Sequence, residues 1–327
     1  MKKVGLISTG GTIASKVDPI TGKMMAGEQT GKELLDKCNL KYLGDELEIK
    51  VNSLFQIPSN QMDFYRLEKL YNKINEMKNN DYDAIVITHG TDTLEETAYF
   101  LDLVLDNEIP VVITGSQFSP TTNNTDAYHN LSNAILVASS EKSKDAGTVV
   151  VFNDRIFSPR YVTKIHASNI NGFGAPRNGN IGIVDFGRVE YFYNMNKREH
   201  IKIHQNLPKV GIYKECLGND PSMIDYYIEN NYSGIIVEGY GRGHTNLGSR
   251  DKLIEAICKG ITVVITTTCM DGKVEPVYGY LGSLDDLTKN GALSGHDYTA
   301  KQARIKLMLL LANEYSKDEI KKSFENY

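Results

Sequence analysis

The sequence predicts an α/β protein: a larger N-terminal domain with a mainly parallel sheet flanked by helices, and a smaller C-terminal α/β domain. Three observations carry this. Short apolar runs such as Val4-Gly5-Leu6-Ile7 and Ala84-Ile85-Val86-Ile87 are bounded by glycine and polar residues, as strands buried on both faces are. These runs alternate with longer stretches of helical apolar spacing, the pattern of βαβ units with right-handed crossovers. A length of 327 residues, 41% hydrophobic and 24% charged, suits two soluble domains that each bury a core.

Taken in order, the run at residues 4–7 leads into Thr9-Gly10-Gly11-Thr12-Ile13-Ala14. Residues 15–31 hold Pro19, Gly22, Gly27 and Gly31 with few periodic apolar positions, and read as a mobile loop. A helix is expected at 33–38 and a strand at 48–54. Leu67, Leu70, Tyr71, Ile74 and Met77 give 63–77 the spacing of a helix. The strand at Ala84–Thr88 leads into His89-Gly90-Thr91-Asp92-Thr93 and a helix over 94–105. A strand at Val111–Thr114 precedes Gly115-Ser116-Gln117, then come a helix at 126–138 and a strand at Thr148–Phe152.

Residues 186–207 are charged and irregular, with Lys197-Arg198-Glu199-His200 and then Pro208, and read as interdomain chain. The domains are therefore expected at 1–188 and 209–327, joined by a linker at 189–208. In the second, strands at 210–213, 234–237 and 262–266 alternate with helices at Ser222–Glu229 and 251–258. Residues 299–312 read as a terminal amphipathic helix.

Composition narrows the function classes. A formal net charge of −5 offers no electrostatic reason for nucleic acid or an anionic membrane as partner. The four cysteines, Cys38, Cys216, Cys258 and Cys269, are scattered without a CxxC pair or a histidine cluster, which points to a reduced compartment. After Met1-Lys2-Lys3 the apolar stretch stops at Leu6-Ile7, short of the roughly seven residues a signal-peptide core needs. No run approaches the roughly twenty apolar residues of a membrane span. A cytoplasmic protein is expected. There is no HExxH, P-loop or GxSxG. Gly239-Tyr240-Gly241-Arg242-Gly243 lacks the full dinucleotide pattern, and reads as a turn or a loop facing the active site.

The two threonine-centred loops carry the chemistry. Both leave the carboxyl ends of expected parallel strands, where open α/β sheets bind ligands. Thr12 follows Gly10 and Gly11, so backbone N–H groups can crowd an oxyanion forming on an attacked carbonyl; the same residues would also serve a plain strand-to-helix turn with a threonine cap. The segment from His89 to Thr93 adds Gly90, the Thr91 hydroxyl and the Asp92 carboxylate ahead of a helix N-terminus that favours negative charge. Asp92 suits an ammonium group, a base partnership with Thr91, or, like Thr93, an N-cap. A threonine hydroxyl is a weak nucleophile and needs activation. Lys164, within Tyr161-Val162-Thr163-Lys164-Ile165-His166, becomes a base if desolvated in a pocket, and is otherwise a surface lysine. Acyl transfer with a threonine nucleophile is the expected reaction class.

Thr9-Gly10-Gly11-Thr12-Ile13-Ala14 and the longer run ITHGTDTLEETAYFLDL at residues 87–103 resemble the two signature motifs of the bacterial-type L-asparaginase family of amidohydrolases. Pro58-Ser59-Asn60-Gln61-Met62, Thr114-Gly115-Ser116-Gln117, Val162-Thr163-Lys164 and the closing helix extend the resemblance over essentially the whole chain. It implies hydrolysis of L-asparagine to L-aspartate and ammonia through an acyl-enzyme ester on Thr12. Thr91, Asp92 and Lys164 would form a second, hydrogen-bonded triad that activates a hydroxyl or positions water. Ser59, with Asn60 close by, would bind the substrate α-carboxylate and Asp92 the α-ammonium. The Ser116 backbone would meet the side-chain amide, and Gly11, Gly90 and Thr91 would be among the substrate-binding residues. No metal or organic cofactor is implied.

The resemblance further implies a homodimer or a homotetramer of paired dimers, with sites completed near the subunit boundary and Glu238, Arg242 and His244 where partner groups approach. Two stretches depart from the family pattern. Gly22-Lys23-Met24-Met25-Ala26-Gly27 lacks the tyrosine usual in the loop over the nucleophile, and Thr125-Asp126-Ala127-Tyr128-His129-Asn130-Leu131 replaces the usual Asp-Gly-Pro/Gln pattern. Glutamine, D-asparagine or another β-amide as substrate, or an amino-acid sensor without turnover, are the alternatives these departures leave. Thr268-Cys269-Met270-Asp271-Gly272-Lys273 resembles the cytoplasmic type I branch, some members of which bind asparagine at a regulatory site near the equivalent cysteine. By residue type alone, Cys269 reads as a small buried apolar group.

Overall fold

The computed structural model of the chain describes every residue except 19, 26–28, 43–46, 107, 194–197, 205 and 326–327. It comprises two units, Met1–His200 and Ile201–Tyr327. Pro19, Ala26, Gly27 and Lys197, each part of a stretch singled out above, lie outside the described residues.

In chain order the first unit runs β1 (Lys2–Gly10), β2 (Lys16–Val17), β3 (Met24–Met25), α1 (Gly31–Leu35), β4 (Leu47–Ile57), α2 (Phe64–Lys78), β5 (Ala84–Thr88), α3 (Leu94–Val104), β6 (Val111–Thr114) and α4 (Ala127–Ser139). There follow β7 (Thr148–Phe152), β8 (Arg155–Phe157), β9 (Thr163–Lys164), β10 (Phe173–Gly174), β11 (Gly182–Asp185) and β12 (Arg188–Tyr191). One sheet has the order β12-β11-β8-β7-β6-β5-β1-β4. The neighbours from β4 to β7 pair parallel, and β8, β11 and β12 add antiparallel pairs at the far edge.

The chain leaves β1 for β4 on one side and then crosses back to β5 on the other, so the topological switch falls between β1 and β5. Their register, from Val4 opposite Ala84 to Ser8 opposite Thr88, sets the Thr12 and Thr91 loops side by side at adjacent carboxyl ends. The strands are apolar on both faces because both are covered. Val4, Leu6, Val86, Val112, Val149 and Val151 pack with Leu131, Ala134, Ile135 and Ala138 of α4, while Ile7, Ile85, Ile87 and Ile113 are buried on the opposite face. Helix starts follow capping chemistry: the Asp63 carboxylate accepts from Arg66 N at 2.9 Å ahead of α2, and Thr30 with Glu33 forms a capping box at α1.

Three expectations change. The stretch taken as a mobile loop contains an antiparallel pair, Lys16 opposite Met25 and Val17 opposite Met24, closed by an Asp18 turn in which Gly22 N donates to Asp18 O at 2.9 Å. The stretch taken as linker begins inside the sheet, since Arg188–Tyr191 is the edge strand β12. Arg198 and His200 then anchor to the first unit: the Arg198 guanidinium pairs with buried Asp102 and donates to Thr148 O at 2.9 Å, and His200 Nε2 meets Val104 O at 3.1 Å. Charge there marks a buried ion pair and not a solvated connection.

The second unit runs β13 (Val210–Lys214), α5 (Ser222–Glu229), β14 (Gly234–Gly239), α6 (Leu247–Cys258), β15 (Thr262–Thr267), α7 (Leu284–Lys289), β16 (Leu293–Ser294), α8 (Ala300–Ala312) and α9 (Lys317–Glu325). Its four strands form a parallel sheet in sequential order. The third change is here: α8 is neither terminal nor one-sided. It is buried on most of its surface, and α9 follows it; Lys306 donates to Tyr298 Oη at 2.9 Å and, reaching α9, to Ser323 O at 2.6 Å.

Candidate active site

The first requirement is that two loops meet closely enough to share a ligand. Gly10 and Gly11 take φ of 101° and 78°, a region that L side chains avoid. This turns the chain at the end of β1 so that Gly11 N donates to Ile57 O at 2.9 Å. A β-carbon on Gly11 would lie 2.2 Å from Gly90 Cα, and one on Gly90 would lie 2.7 Å from Ser59 Oγ. Gly11, Gly90 and Ser59 are thus in close contact, and three segments distant in sequence form one wall.

Thr12 stands next to that wall at the start of a 3₁₀ turn, Thr12–Ala14, half-buried. The turn has no side-chain cap; it is held instead by Ser15 Oγ, which donates to Thr12 O at 2.8 Å, and by Ser119 Oγ, which donates to Ser15 O at 3.0 Å. The cap position itself is Gly11 and not Thr12.

On the β5 side, Thr9 Oγ1 donates to Thr88 O at 2.9 Å and ties the two strand ends together. Asp92 N donates to Ser59 Oγ at 3.1 Å and Thr93 Oγ1 to Ser59 O at 2.8 Å. Thr93 occupies the N-cap position of α3 but makes no side-chain cap, so neither side chain does the capping that the sequence also allowed. Asn60 is exposed on the same turn as buried Ser59.

Lys164 comes from the β9–β10 hairpin, where it faces Phe173 in register. Its Nζ donates to Thr91 Oγ1 at 2.9 Å and to Asp92 Oδ1 at 2.8 Å. Its backbone N donates at 2.6 Å to Oε2 of Glu95, a buried carboxylate in the first turn of α3. Hydroxyl, carboxylate and ammonium are thereby joined in one hydrogen-bonded group.

His89 is fully buried. Nδ1 lies 2.7 Å from Gly90 O, which can only accept, so the proton is on Nδ1 and Nε2 accepts from Thr97 Oγ1 at 3.0 Å. Burial pushes its pKa down to about 4, and the ring stays neutral. It orients the Gly90 peptide without offering a charge.

Ser116 is buried beyond β6, and a β-carbon on Gly115 would come within 3.5 Å of Thr91 Cγ2. The loop is held from α4: Asp126 accepts from Gln117 N at 3.0 Å and Phe118 N at 2.9 Å, and Asn130 Nδ2 donates to Gly115 O and Asp126 Oδ2, both at 3.0 Å. Glu95, Asp126, Asn130 and Gln117 were not predicted as part of the site. The i,i+4 spacing of Asp126 and Asn130 was the one visible signal; Glu95 looked like an ordinary first-turn acid.

In the second unit, residues 239–243 make a tight turn, with Tyr240 N donating to His244 O at 2.8 Å. His244 packs against Tyr278 and Tyr280, ring centroids 5.2 and 5.3 Å away. Glu238 lies at the end of β14, 3.6 Å from Lys214 Nζ. Cys269, expected buried, is exposed, two residues past the end of β15. Among the described residues, no group of three or more His, Cys, Asp or Glu could hold a metal.

Two family models match the chain: Asparaginase, N-terminal, over residues 3–197, and the Glutaminase/Asparaginase C-terminal domain over 209–324. The chain is 44% identical over 324 residues to an L-asparaginase of Bacillus licheniformis, covering 99% of each protein. It is 31% identical over 321 residues to one component of the Glutamyl-tRNA(Gln) amidotransferase of Methanosarcina barkeri, covering 95% of this chain and 74% of that one. Among solved structures, a probable cytoplasmic L-asparaginase from Campylobacter jejuni superposes with a TM-score of 0.91 at 30% identity, covering 100% of both chains.

Proposed function

This chain belongs to the asparaginase family and is an L-asparagine amidohydrolase, and we propose that its acyl transfer runs through Thr12, served by Thr91, Asp92 and Lys164. The observation that carries the reading is Lys164 Nζ, within 2.9 Å of the Thr91 hydroxyl and 2.8 Å of the Asp92 carboxylate. Thr12 Oγ attacks the side-chain amide carbon, the C–N bond breaks, and ammonia leaves with the proton taken from the hydroxyl. Water then attacks the ester, positioned at the Thr91–Lys164 group, and releases aspartate with Thr12 restored. Ser59 and Asn60 receive the α-carboxylate, Asp92 the α-ammonium, and the Ser116 backbone the amide, while Gly11 and Gly90 leave room for the ligand. These steps use no metal or organic cofactor.

The test is ammonia release from L-asparagine by the wild type, Thr12→Ala and Thr91→Ala. Losses of a hundredfold or more in both variants are expected; full activity in either would sink the mechanism. Likeness to an amidotransferase component and the absence of a tyrosine from residues 22–27 make substrate range a real question. Catalytic efficiency measured side by side on L-asparagine, L-glutamine and D-asparagine answers it, with L-asparagine expected highest. Binding of aspartate or asparagine without ammonia release would identify a sensor instead.

We further infer a cytoplasmic, homo-oligomeric enzyme of the type I branch. The location is supported by a solved relative described as cytoplasmic; the assembly and the branch rest on the family resemblance of the sequence. A plot of rate against asparagine concentration tests for a regulatory site near Cys269 by its shape, and sedimentation separates dimer from tetramer.

A further inference from the structure

The Ser116 loop and the Lys164 hairpin come from different parts of the first unit, and one side chain spans them. Gln117 N is fixed to Asp126 Oδ2 at 3.0 Å. Its side chain extends to the hairpin, where Nε2 donates to His166 O at 3.4 Å. A β-carbon on Gly172 would lie 1.7 Å from Gln117 Nε2 and 2.8 Å from its Cδ. The Gln117 amide therefore rests directly on the α-carbon of Gly172, in the space a side chain would fill.

Gly172 is the neck of the hairpin: its carbonyl accepts from Ile165 N at 2.8 Å and from His166 N at 3.3 Å. The next residue, Phe173, is the register partner of Lys164. Gly172 is not among the positive-φ residues, so its backbone does not demand glycine. A β-carbon there would have to displace the Gln117 amide, with Asn169 O next at 3.0 Å.

The geometry points to Gln117 as a positioning residue for the reaction: a strut that sets the height of the hairpin and so the reach of Lys164 Nζ to Thr91 and Asp92. This rests on the reading of Thr91 and Lys164 as reactive groups. Gln117 touches none of the reacting atoms; it acts through the hairpin neck. Lys164 has two partners to satisfy at 2.9 and 2.8 Å, and misplacement of a catalytic group by about 1 Å costs up to a hundredfold in rate.

Four variants test the strut by steady-state ammonia release from L-asparagine: Gln117→Ala, Gln117→Met, Gly172→Ala and the Gln117→Ala/Gly172→Ala double. The strut predicts a kcat loss of about tenfold to a hundredfold in Gln117→Ala and Gly172→Ala with KM within about threefold, and an unchanged melting temperature in Gln117→Ala. Gln117→Met refills the space and keeps kcat within about threefold. The double variant is no worse than Gln117→Ala, because the new β-carbon occupies the vacated space, whereas independent sites would multiply their losses. Wild-type kcat in Gln117→Ala, or multiplied losses in the double, overturns the strut. Thr91→Ala, run alongside, separates the two readings. If it retains activity the reactive-group reading falls; if it is inactive while Gln117→Ala is normal, only the strut falls.

Discussion

Lys164 Nζ donates to Thr91 Oγ1 at 2.9 Å across 73 positions of sequence, from a hairpin to the loop after β5. The same ammonium meets Asp92 Oδ1 at 2.8 Å, so one cation serves both the hydroxyl and the adjacent carboxylate. Replacing Lys164 by Met keeps the length of the stem and removes the charge. General acid–base groups contribute about 10²–10⁴-fold, and a fall in kcat of that order is expected, with little change in thermal unfolding. Ammonia release and a melting curve on the same sample measure both; a loss of less than fivefold would remove Lys164 from the chemistry.

Glu95 places the Lys164 backbone through a 2.6 Å hydrogen bond from Lys164 N. Glu95→Ala should lower kcat by about tenfold or more and also destabilise the fold, since a backbone donor loses its partner at a cost of about 1–3 kcal/mol. Glu95→Gln keeps an acceptor oxygen and should recover most of the rate. Equal rates in the two variants would show that the bond does not position Lys164.

Close approach of the two loops depends on Gly11. Gly11→Ala combines a φ of 78° with a β-carbon 2.2 Å from Gly90 Cα, and should cost about 3 kcal/mol in unfolding free energy. Gly179→Ala is the control, since its φ is 73° but nothing lies within 4 Å; it should cost only about 1 kcal/mol. Denaturant titrations compare them, and equal losses would mean that conformation alone, not the meeting of the loops, requires glycine at position 11.

His89 gives the fold a defined acid sensitivity. Its folded pKa is lowered to about 4, whereas an unfolded histidine titrates near 6.5. Between those values the unfolded chain binds a proton that the folded chain refuses, so stability falls as pH drops through about 6.5 and the loss is complete near 4. It amounts to about 3 kcal/mol for a shift of this size. His89→Gln should flatten that part of the curve of unfolding free energy against pH. An unchanged slope between pH 6.5 and 4.5 would place the sensitivity elsewhere.

Arg198 and Asp102 form a buried ion pair that returns the chain to the first unit. Removing one partner leaves a buried charge unpaired, so Arg198→Ala should cost about 3–5 kcal/mol. Unfolding of the full chain followed by denaturant tests this; a loss below about 1 kcal/mol would contradict the anchoring role.

Much of the site was legible because parallel strands are short apolar runs whose carboxyl ends define where ligands bind. Thr12, Thr91, Asp92 and Ser59 were proposed that way or through the family motifs, and the fold brings the segments that carry them together. What stayed hidden lies in long-range contacts of ordinary residues. Glu95 reads as a helix-start acid until Lys164 N is seen on it, and Gln117 as loop until Gly172 is seen beneath it. Arg198 looked like solvated linker because a buried ion pair carries the same letters as an exposed one. Cys269 shows the converse: its type favours burial, but it stands exposed two residues past a strand end.

The central claim is that Thr12 carries the acyl group. Intact-mass analysis of acid-quenched reactions with L-asparagine, followed by peptide mapping, tests it most directly in the Thr91→Ala variant, where release of the ester should be slowed. The account predicts one aspartyl adduct per chain on the peptide containing Thr12, absent from Thr12→Ala. An adduct on the Thr91 peptide of the wild type, or undiminished turnover by Thr12→Ala, would contradict it.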